Sequence, residues 1–225
     1  SWYCYKLGNM LRHFYEAEDL LVFGSGYSLA LASYKAMECG RTGMEFAVGI
    51  PGSIGGAVYM NAGAYDGEMQ NIVNCVKVMD LQGNERVLTA EELNFGYRKT
   101  SLQNSGLIVT EVTLKMPSGN KDEIKSKMDD FSHRRISKQP LEMPSAGSMF
   151  KRPPGYFAGT LIDQAGLKGY TVGGAQISTK HAGFVVNVGG ATAADVLQLI
   201  KDVQTKIKAG VGVELQPEVL VIGEE

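Results

Sequence analysis

The stretch from Gly49 to Glu68 reads GIPGSIGGAVYMNAGAYDGE and holds six glycines and two acidic residues. Glycine loses more conformational freedom on folding than any other residue, so this concentration requires a compensating gain. One interpretation is a cluster of tight turns between strands, because turns also collect Gly and Pro. The other is a main chain whose exposed N–H groups approach an anionic ligand closely.

The spacing of these glycines excludes two common phosphate-binding motifs. No Lys-Ser or Lys-Thr pair follows them, so the stretch is not a Walker loop, and it does not match GxGxxG. Asn61 and Tyr65 follow the glycines directly and add polar groups for a ligand. The residues alone leave both interpretations open.

Composition bounds the class of protein. The chain has 225 residues, enough for one large domain or two small ones, and its net charge of −2 indicates no broad attraction to nucleic acid. No apolar run approaches the roughly 20 residues of a membrane helix, and the start has no signal-peptide pattern. Cys4, Cys39 and Cys75 are scattered, which favours reduced thiols in a cytoplasm over a disulfide frame or a structural metal site.

Apolar periodicity predicts strands and helices in an α+β arrangement with two lobes. The helix after Thr192 is marked most clearly, because Thr192 and Asp195 have the spacing of a capping box. Four prolines between residues 140 and 154 indicate a domain junction. The predicted strands are 20–23, 75–80, 85–88, 107–116, 184–188 and 213–223, and the predicted helices are 28–39, 122–135 and 192–210.

Four polar residues stand out as candidates for chemistry. Arg98 is either a fork for an anionic substrate or an ordinary surface arginine. Ser148 lies among small residues without a GxSxG elbow, so it is either a hydroxyl donor or a helix cap. Glu218 lies in an apolar run, as a solubilising edge residue or a functional carboxylate. His181 has no partner at metal spacing and is more often structural.

Six segments in a fixed order resemble the UDP-N-acetylenolpyruvoylglucosamine reductase family, and the resemblance runs from about residue 20 to residue 225. Members of that family use NADPH to reduce their substrate through a bound FAD. The resemblance therefore implies FAD and NADPH as cofactors. The segments are GMEFAVGIPGSIGGAVYMNAGAY from Gly43, FGYRKTSLQ from Phe95, RRISKQPLEMPSAGSMFKRPP from Arg134, AGTLIDQAGLKGYTVGGAQISTKHAGFVVN from Ala158, ATAADVLQLI from Ala191 and VELQPEVLVIG from Val213.

The resemblance also implies an architecture. Residues 1–137 and 211–225 are expected to form part of an FAD-binding lobe of the vanillyl-alcohol-oxidase-like type, with an inserted α+β substrate lobe at 138–210. The family's N-terminal flavin lobe is expected to be missing from these 225 residues. The implied partner is one small molecule, UDP-N-acetylglucosamine enolpyruvate, bound by a monomer in the cytoplasm.

Roles for individual residues follow from the same resemblance. Arg98 would stabilise an enolate-like species, and Ser148 would donate a proton to C2 of the enolpyruvyl group. Glu218 would assist the intermediate or the proton relay. Lys138 and Arg152 would bind substrate, although Arg152 stands where many members have Asn. The expected flavin cradle comprises Gly49, Ile50, Pro51, Gly52, Ser53, Gly55, Gly56, Asn61, Gly63 and Ala64.

Two alternative functions are weighed against the reductase. The first is a UDP-sugar-binding module without turnover, which the expected absence of a flavin lobe favours. The second is a sugar or alcohol oxidase on the same fold. That version would carry a His or Cys for a covalent flavin, and the glycine-rich stretch contains neither.

Overall fold

The computed structural model describes residues 8–222, in two compact units that divide after His133. The content is mixed α/β, in agreement with the sequence prediction. The first unit contains β1 (Phe14–Ala17), β2 (Leu20–Gly24), α1 (Leu29–Glu38), α2 (Ile54–Tyr59), β3 (Gly63–Ala64), β4 (Gly67–Glu68), β5 (Val73–Met79), β6 (Glu85–Thr89) and β7 (Ile108–Lys115). Helix α3 (Lys121–Lys138) follows and crosses the division. The second unit contains β8 (Ser145–Ser148), α4 (Ala158–Gln164), β9 (Thr171–Val172), β10 (Ala175–Ile177), β11 (Phe184–Asn187) and α5 (Ala193–Val211).

The first unit is built on a five-stranded antiparallel sheet in the order β1-β2-β7-β5-β6. Strand β2 is an apolar run with Leu21 and Phe23 buried, as the sequence predicted. These side chains pack in one hydrophobic core with residues of α1 and α2, including Leu29 and Ile54. Strand and helices therefore bury one common apolar cluster beneath the glycine-rich segment.

Strand β7 keeps its predicted inward face only in its second half. Val112 and Leu114 are buried as expected, but Val109 is buried rather than Thr110. The cause is a bulge, because Lys77 pairs with Glu111 while Val78 pairs with Val109, which leaves Thr110 as an extra residue. One extra residue moves the alternation of side chains by one position.

Helix α3 confirms the predicted periodicity. Ile124, Met128 and Phe131 are its buried residues, four and three apart, and they pack with Val48. Asp122 and Glu123 lie in the first turn, and Arg135 and Lys138 lie in the last. This arrangement of charge suits the helix dipole.

The second unit has a four-stranded antiparallel sheet in the order β8-β11-β10-β9, covered by α5. The capping box of α5 is formed, since Thr192 and Asp195 each accept from the other's backbone N–H. The helix ends at Val211 and is capped by Gly212, which has a left-handed φ of 73°. The prediction placed its end one residue earlier, at Gly210.

Two boundary predictions differ from the structure. The compact units divide after His133 rather than after residue 137, and the tail up to residue 222 belongs to the second unit rather than the first. The predicted strand at 213–223 is wrong for the described residues, which form only an isolated bridge between Phe150 and Pro217. Two backbone bonds of 2.9 Å close this bridge on either side of Pro217, from Lys151 N–H to Gln216 C=O and from Glu218 N–H to Met149 C=O.

Three further observations concern the described part of the chain. Between residues 8 and 222 the structure contains no helix with the length and apolar character needed to cross a membrane. Over the same residues, no group of three or more His, Cys, Asp or Glu side chains is arranged for a metal ion. Cys39 and Cys75 are free thiols, and Cys4 lies outside the described residues.

Candidate functional site

The glycine-rich segment of the first unit is a series of turns around a short helix. Gly49 and Gly52 have φ values of 75° and 120°, where a side chain would be strained. Ser53 caps α2 by accepting from Gly56 N–H at 3.2 Å. Leu29 N–H donates to Gly52 C=O at 3.0 Å and so ties this turn to α1. The turn interpretation of these glycines is therefore correct for this part of the segment.

Other glycines in the segment are required by contacts within the protein. A Cβ on Gly55 would lie 2.7 Å from Ser25 Cβ, and one on Gly63 would lie 2.6 Å from Gly67 C=O. At Gly52 a Cβ would meet nothing within 4 Å. The close neighbour at Gly55 and Gly63 is thus the chain itself, whereas the Gly52 turn has open space around it.

Several polar atoms near that open turn lack a protein partner. Within residues 8–222, no acceptor binds the backbone N–H groups of Gly49, Gly52 or Ser53. Ser25 is 1% exposed, and its Oγ has no hydrogen-bond partner among the described residues. Ser25 is not among the site residues predicted from the sequence. Buried hydroxyls in proteins are normally satisfied, so this one is unusual.

Asn61 behaves differently from the rest of the predicted cradle. Its side chain is 0% exposed. Its Nδ2 donates to Glu68 Oε2 at 3.1 Å and to Gly96 C=O at 3.0 Å, and its Oδ1 accepts from Gln70 N–H at 3.0 Å. Both amide protons are engaged by the protein, so in this structure Asn61 offers no donor to a ligand.

Arg98 lies at the tip of a tight turn in the first unit. Gly96 and Lys99 exchange backbone hydrogen bonds at 2.9 and 3.1 Å across it. Arg98 has a left-handed φ of 55°, which is uncommon outside glycine. Its guanidinium is half-buried, lies 5.1 Å from the centre of the Tyr97 ring, and donates to Gly63 C=O at 3.3 Å. Arg98 is thus linked to the glycine-rich segment.

Ser148 is the last residue of β8 in the second unit. It is exposed, and its Oγ donates to Phe150 C=O at a long 3.3 Å. Gly147, directly before it, has a φ of 86°. The alternative that Ser148 caps a helix is wrong, because the residue lies in a strand. Its hydroxyl is accessible and weakly held.

Glu218 comes to lie beside this strand although it is 70 residues away in sequence. Its backbone N–H donates to Met149 C=O at 2.9 Å, and Lys151 N–H donates to Gln216 C=O at 2.9 Å. Glu218 is half-buried. The bridge sets Glu218 opposite the neighbour of Ser148, so these two predicted site residues occupy adjoining positions in one unit.

Three further candidates belong to the second unit, and they differ in exposure. Lys138 is exposed at the end of α3. The Arg152 guanidinium lies 4.0 Å from the centre of the Phe157 ring. His181 is half-buried, and its Nδ1 accepts from Gly183 N–H at 3.1 Å. Burial, with Lys168 and Lys138 nearby, lowers the pKa of His181, so the ring is neutral at pH 7.

Comparison with known proteins identifies relatives from one enzyme family. Residues 139–222 match the family model of the UDP-N-acetylenolpyruvoylglucosamine reductase C-terminal domain. A reductase of that name from Clostridium perfringens is 54% identical over 201 residues, which cover 89% of this chain and 66% of the relative. One from Pediococcus pentosaceus is 51% identical over 205 residues, covering 91% and 68%.

A solved structure gives the same result. The crystal structure of UDP-N-acetylenolpyruvylglucosamine reductase from Thermus caldophilus matches with a TM-score of 0.80 at 40% identity. The match covers 94% of this chain and 75% of that one.

The chain belongs to the UDP-N-acetylenolpyruvoylglucosamine reductase family. It spans about two thirds of the length of the curated relatives that it matches. The resemblance drawn from the sequence motifs is therefore confirmed, including the segments that carry Arg98, Ser148 and Glu218.

Sequence reasoning missed the residues that hold the Arg98 turn in place. Gln103 Nε2 donates to Arg98 C=O at 3.1 Å, and buried Thr100 donates to Tyr59 C=O at 2.8 Å. Both lie inside the segment FGYRKTSLQ, whose match to the family extends through Gln103. The length of the matching segment was the available signal for these residues. A motif that extends beyond its reacting residue also contains the residues that hold it in position.

Proposed function

We propose that this protein reduces UDP-N-acetylglucosamine enolpyruvate to UDP-N-acetylmuramate, with NADPH as the reductant and FAD as the cofactor. This is a step in the synthesis of peptidoglycan precursors. The observation that carries the proposal is the bridge between Glu218 N–H and Met149 C=O at 2.9 Å. It brings the family's carboxylate beside the strand that ends with the family's serine.

The flavin fits the features of the first unit. The N–H groups of Gly49, Gly52 and Ser53, which have no acceptor in the described part of the chain, suit an anionic group such as a pyrophosphate. The open space at Gly52 lets a ligand approach the backbone. The chemistry of hydride transfer from NADPH to the enolpyruvyl group belongs to the bound flavin. We assign this unit to an FAD-binding lobe of the vanillyl-alcohol-oxidase-like type on that basis.

Arg98 is proposed to bind the enolpyruvyl carboxylate. When a hydride reaches C3 of the substrate, negative charge spreads over C2 and that carboxylate. A guanidinium keeps its charge at every working pH and presents a planar fork to a carboxylate. A fixed cation aimed at charge that grows in the transition state lowers the barrier.

Ser148 is proposed to donate the proton that C2 receives. Its exposed hydroxyl makes one long hydrogen bond within residues 8–222, to Phe150 C=O, so it can turn toward a substrate. A serine hydroxyl is a weak acid, and it needs a strongly basic carbon to accept the proton. Glu218, which lies at the position next to Ser148, would take up a proton or relay it.

Lys138 and Arg152 are proposed to bind the nucleotide sugar. Lys138 offers a point charge to a phosphate or a carboxylate, as lysines do. Arg152 keeps its guanidinium at the Phe157 ring, and it would offer a flat, charged donor where many relatives offer an amide. This difference predicts an altered set of contacts to the sugar rather than an altered reaction.

The test of the proposal separates the two half-reactions in the whole-length enzyme. Ser148→Ala is expected to leave flavin reduction by NADPH within about twofold of wild type. Reoxidation by the enolpyruvyl substrate should slow by about 10²–10⁴, the range for a lost general acid. Stopped-flow absorbance of the flavin follows both steps.

A matched control is Ser137→Ala, because Ser137 is also an exposed serine with one bond to a backbone C=O. That variant should keep both rates. Equal loss of both half-reactions in Ser148→Ala would refute the proton-donor role.

A second candidate function is UDP-sugar binding without turnover, favoured by the chain's coverage of about two thirds of its relatives. An absorbance spectrum of the purified 225-residue chain separates the two. Flavin bands support the reductase, whereas a colourless protein that still binds the UDP-sugar supports the binding module.

A further inference from the structure

The turn that carries Arg98 adopts a conformation that its sequence does not favour. Arg98 is a non-glycine residue with a φ of 55°, at the corner of a turn closed between Gly96 and Lys99. Left-handed conformations in such residues persist where the surrounding structure holds them. The question is which groups provide that restraint.

Asn61 is the buried group that reaches the base of the turn. Its Nδ2 donates at 3.0 Å to Gly96 C=O, the same oxygen that accepts from Lys99 N–H. Its other contacts, to Glu68 Oε2 and Gln70 N–H, fix the amide in one orientation. Asn61 itself has a φ of 44°, so its own backbone is specialised for this position.

A second restraint acts on the other side of the turn. Gln103 Nε2 donates at 3.1 Å to Arg98 C=O and at 3.4 Å to Tyr59 C=O. Gln103 therefore ties the turn to the end of α2. Together, Asn61 and Gln103 hold both ends of the segment that presents the guanidinium.

We propose that Asn61 is a positioning residue for Arg98 rather than a cofactor-binding residue. The claim rests on the proposed function, because it assigns Asn61 to the substrate side of that reaction. Asn61 acts through the turn: without its amide, Gly96 C=O loses a donor and Arg98 samples other conformations. Gln103 serves the same turn from its outer side.

The first test reads the turn itself and needs no turnover. Asn61→Gly keeps the left-handed backbone available and removes only the side chain. Hydrogen exchange on the full chain should show at least about tenfold faster exchange at the Gly96 and Lys99 amides, while amides of β7 are unchanged. Asn104→Gly is the matched control, since Asn104 also has a left-handed φ, of 64°, and its side chain makes no hydrogen bond within the described residues.

The second test asks whether the effect passes through Arg98. In the whole-length enzyme, Asn61→Gly should slow reoxidation by the enolpyruvyl substrate at least tenfold and leave flavin reduction by NADPH within twofold. Added to Arg98→Ala, it should slow reoxidation no further, because the group it positions is already gone. Asn104→Gly should leave both half-reactions unchanged.

Three results would overturn the proposal: unchanged exchange at Gly96 and Lys99, equal loss in both half-reactions, or a full further loss in the Arg98→Ala background. If Asn61→Gly does not fold, Gln103→Met provides the same comparison. It removes the donor to Arg98 C=O at a half-buried position and keeps a similar volume. A wild-type enzyme that fails to turn over would count against the proposed function, and the exchange experiment would still decide the role of Asn61.

Discussion

Asn61 in the first unit and Ser148 in the second are both small polar residues within family motifs, but the structure treats them in opposite ways. Asn61 is 0% exposed, and its amide is satisfied by three hydrogen bonds to protein. Ser148 is exposed and has one bond of 3.3 Å. A saturated polar group supports the fold, whereas a weakly held one remains available for chemistry. The predictions for Asn61, Ser148 and Thr192 rest on this difference.

The largest effect is expected at Arg98, the residue proposed to bind the enolpyruvyl carboxylate. Its guanidinium donates to Gly63 C=O at 3.3 Å and is half-buried. Arg98→Lys keeps the charge and loses the fork, so reoxidation by substrate should slow by about 10²–10³, as for the loss of one preorganised donor. Single-turnover kinetics measure this rate of reoxidation.

Arg86→Lys is the control for this change, since Arg86 is exposed on β6. It should keep the wild-type rate. A lysine at position 98 that supports full activity would remove Arg98 from the group of chemical residues.

The next effect concerns two adjacent glycines of α2. Gly55→Ala would place a Cβ 2.7 Å from Ser25 Cβ and 3.0 Å from Ser25 C=O, so unfolding free energy should fall by about 1–3 kcal/mol. Gly56→Ala faces only Ser53 Oγ at 3.4 Å on an exposed side, and it should raise stability by about 0.5–1 kcal/mol.

Urea unfolding of the two variants decides whether packing explains Gly55. If both alanines are tolerated equally, contact with Ser25 is not the reason for a glycine at position 55.

Thr192 extends the comparison to the second unit, because it is exposed like Ser148 but its hydroxyl caps a helix. Its hydroxyl accepts from Asp195 N–H at 3.1 Å, and Asp195 accepts from Thr192 N–H at 2.9 Å. Thr192→Ala should lower stability by about 1 kcal/mol and leave both half-reactions intact. Thermal unfolding and kinetics on one preparation measure both effects.

The control is Thr205→Ala in the middle of α5, where the hydroxyl only bonds back to Lys201 C=O. It should leave stability within about 0.5 kcal/mol of wild type. A rate loss in Thr192→Ala without a stability loss would contradict the division between the two kinds of group.

The smallest effect is a difference in pKa between two histidines. Hydrogen bonds to Met10 C=O and Glu111 raise the pKa of His13 in the first unit, whereas burial lowers the pKa of His181 in the second. Stability from His13 is present below about pH 6.5 and is lost as pH rises through its folded pKa. Stability from His181 is present above about pH 6.5 and is lost as pH falls through its folded pKa.

Imidazole resonances followed by NMR over a pH titration test this order. His13 should titrate at the higher pH and His181 at the lower. The reverse order would show that the environments of the two rings are misassigned.

Much of the fold follows from the sequence because periodicity reports burial directly. The apolar run of β2, the stripe of α3 and the capping box of α5 formed as predicted. Strand β7 departed from its prediction because of the bulge at Thr110. Pairing partners are set in three dimensions, and no local pattern marks an extra residue.

The site was less predictable, for a related reason. Motif resemblance located Arg98, Ser148 and Glu218, but it could not distinguish a residue that binds a ligand from one that supports its neighbours. Asn61 and Gly63 lie in the motif beside Gly52, yet their close contacts are with the protein. That distinction depends on which atoms lie within hydrogen-bond distance, and sequence spacing does not contain it.

The division between saturated and weakly held groups is tested most directly by the unfolding free energies of Asn61→Gly and Ser148→Ala, measured side by side in urea. Asn61→Gly should lose at least about 2 kcal/mol, because three hydrogen bonds of a fully buried side chain are removed. Ser148→Ala should stay within about 0.5 kcal/mol of wild type, as exposed substitutions do. A stable Asn61→Gly beside a destabilised Ser148→Ala would contradict the roles assigned to both residues.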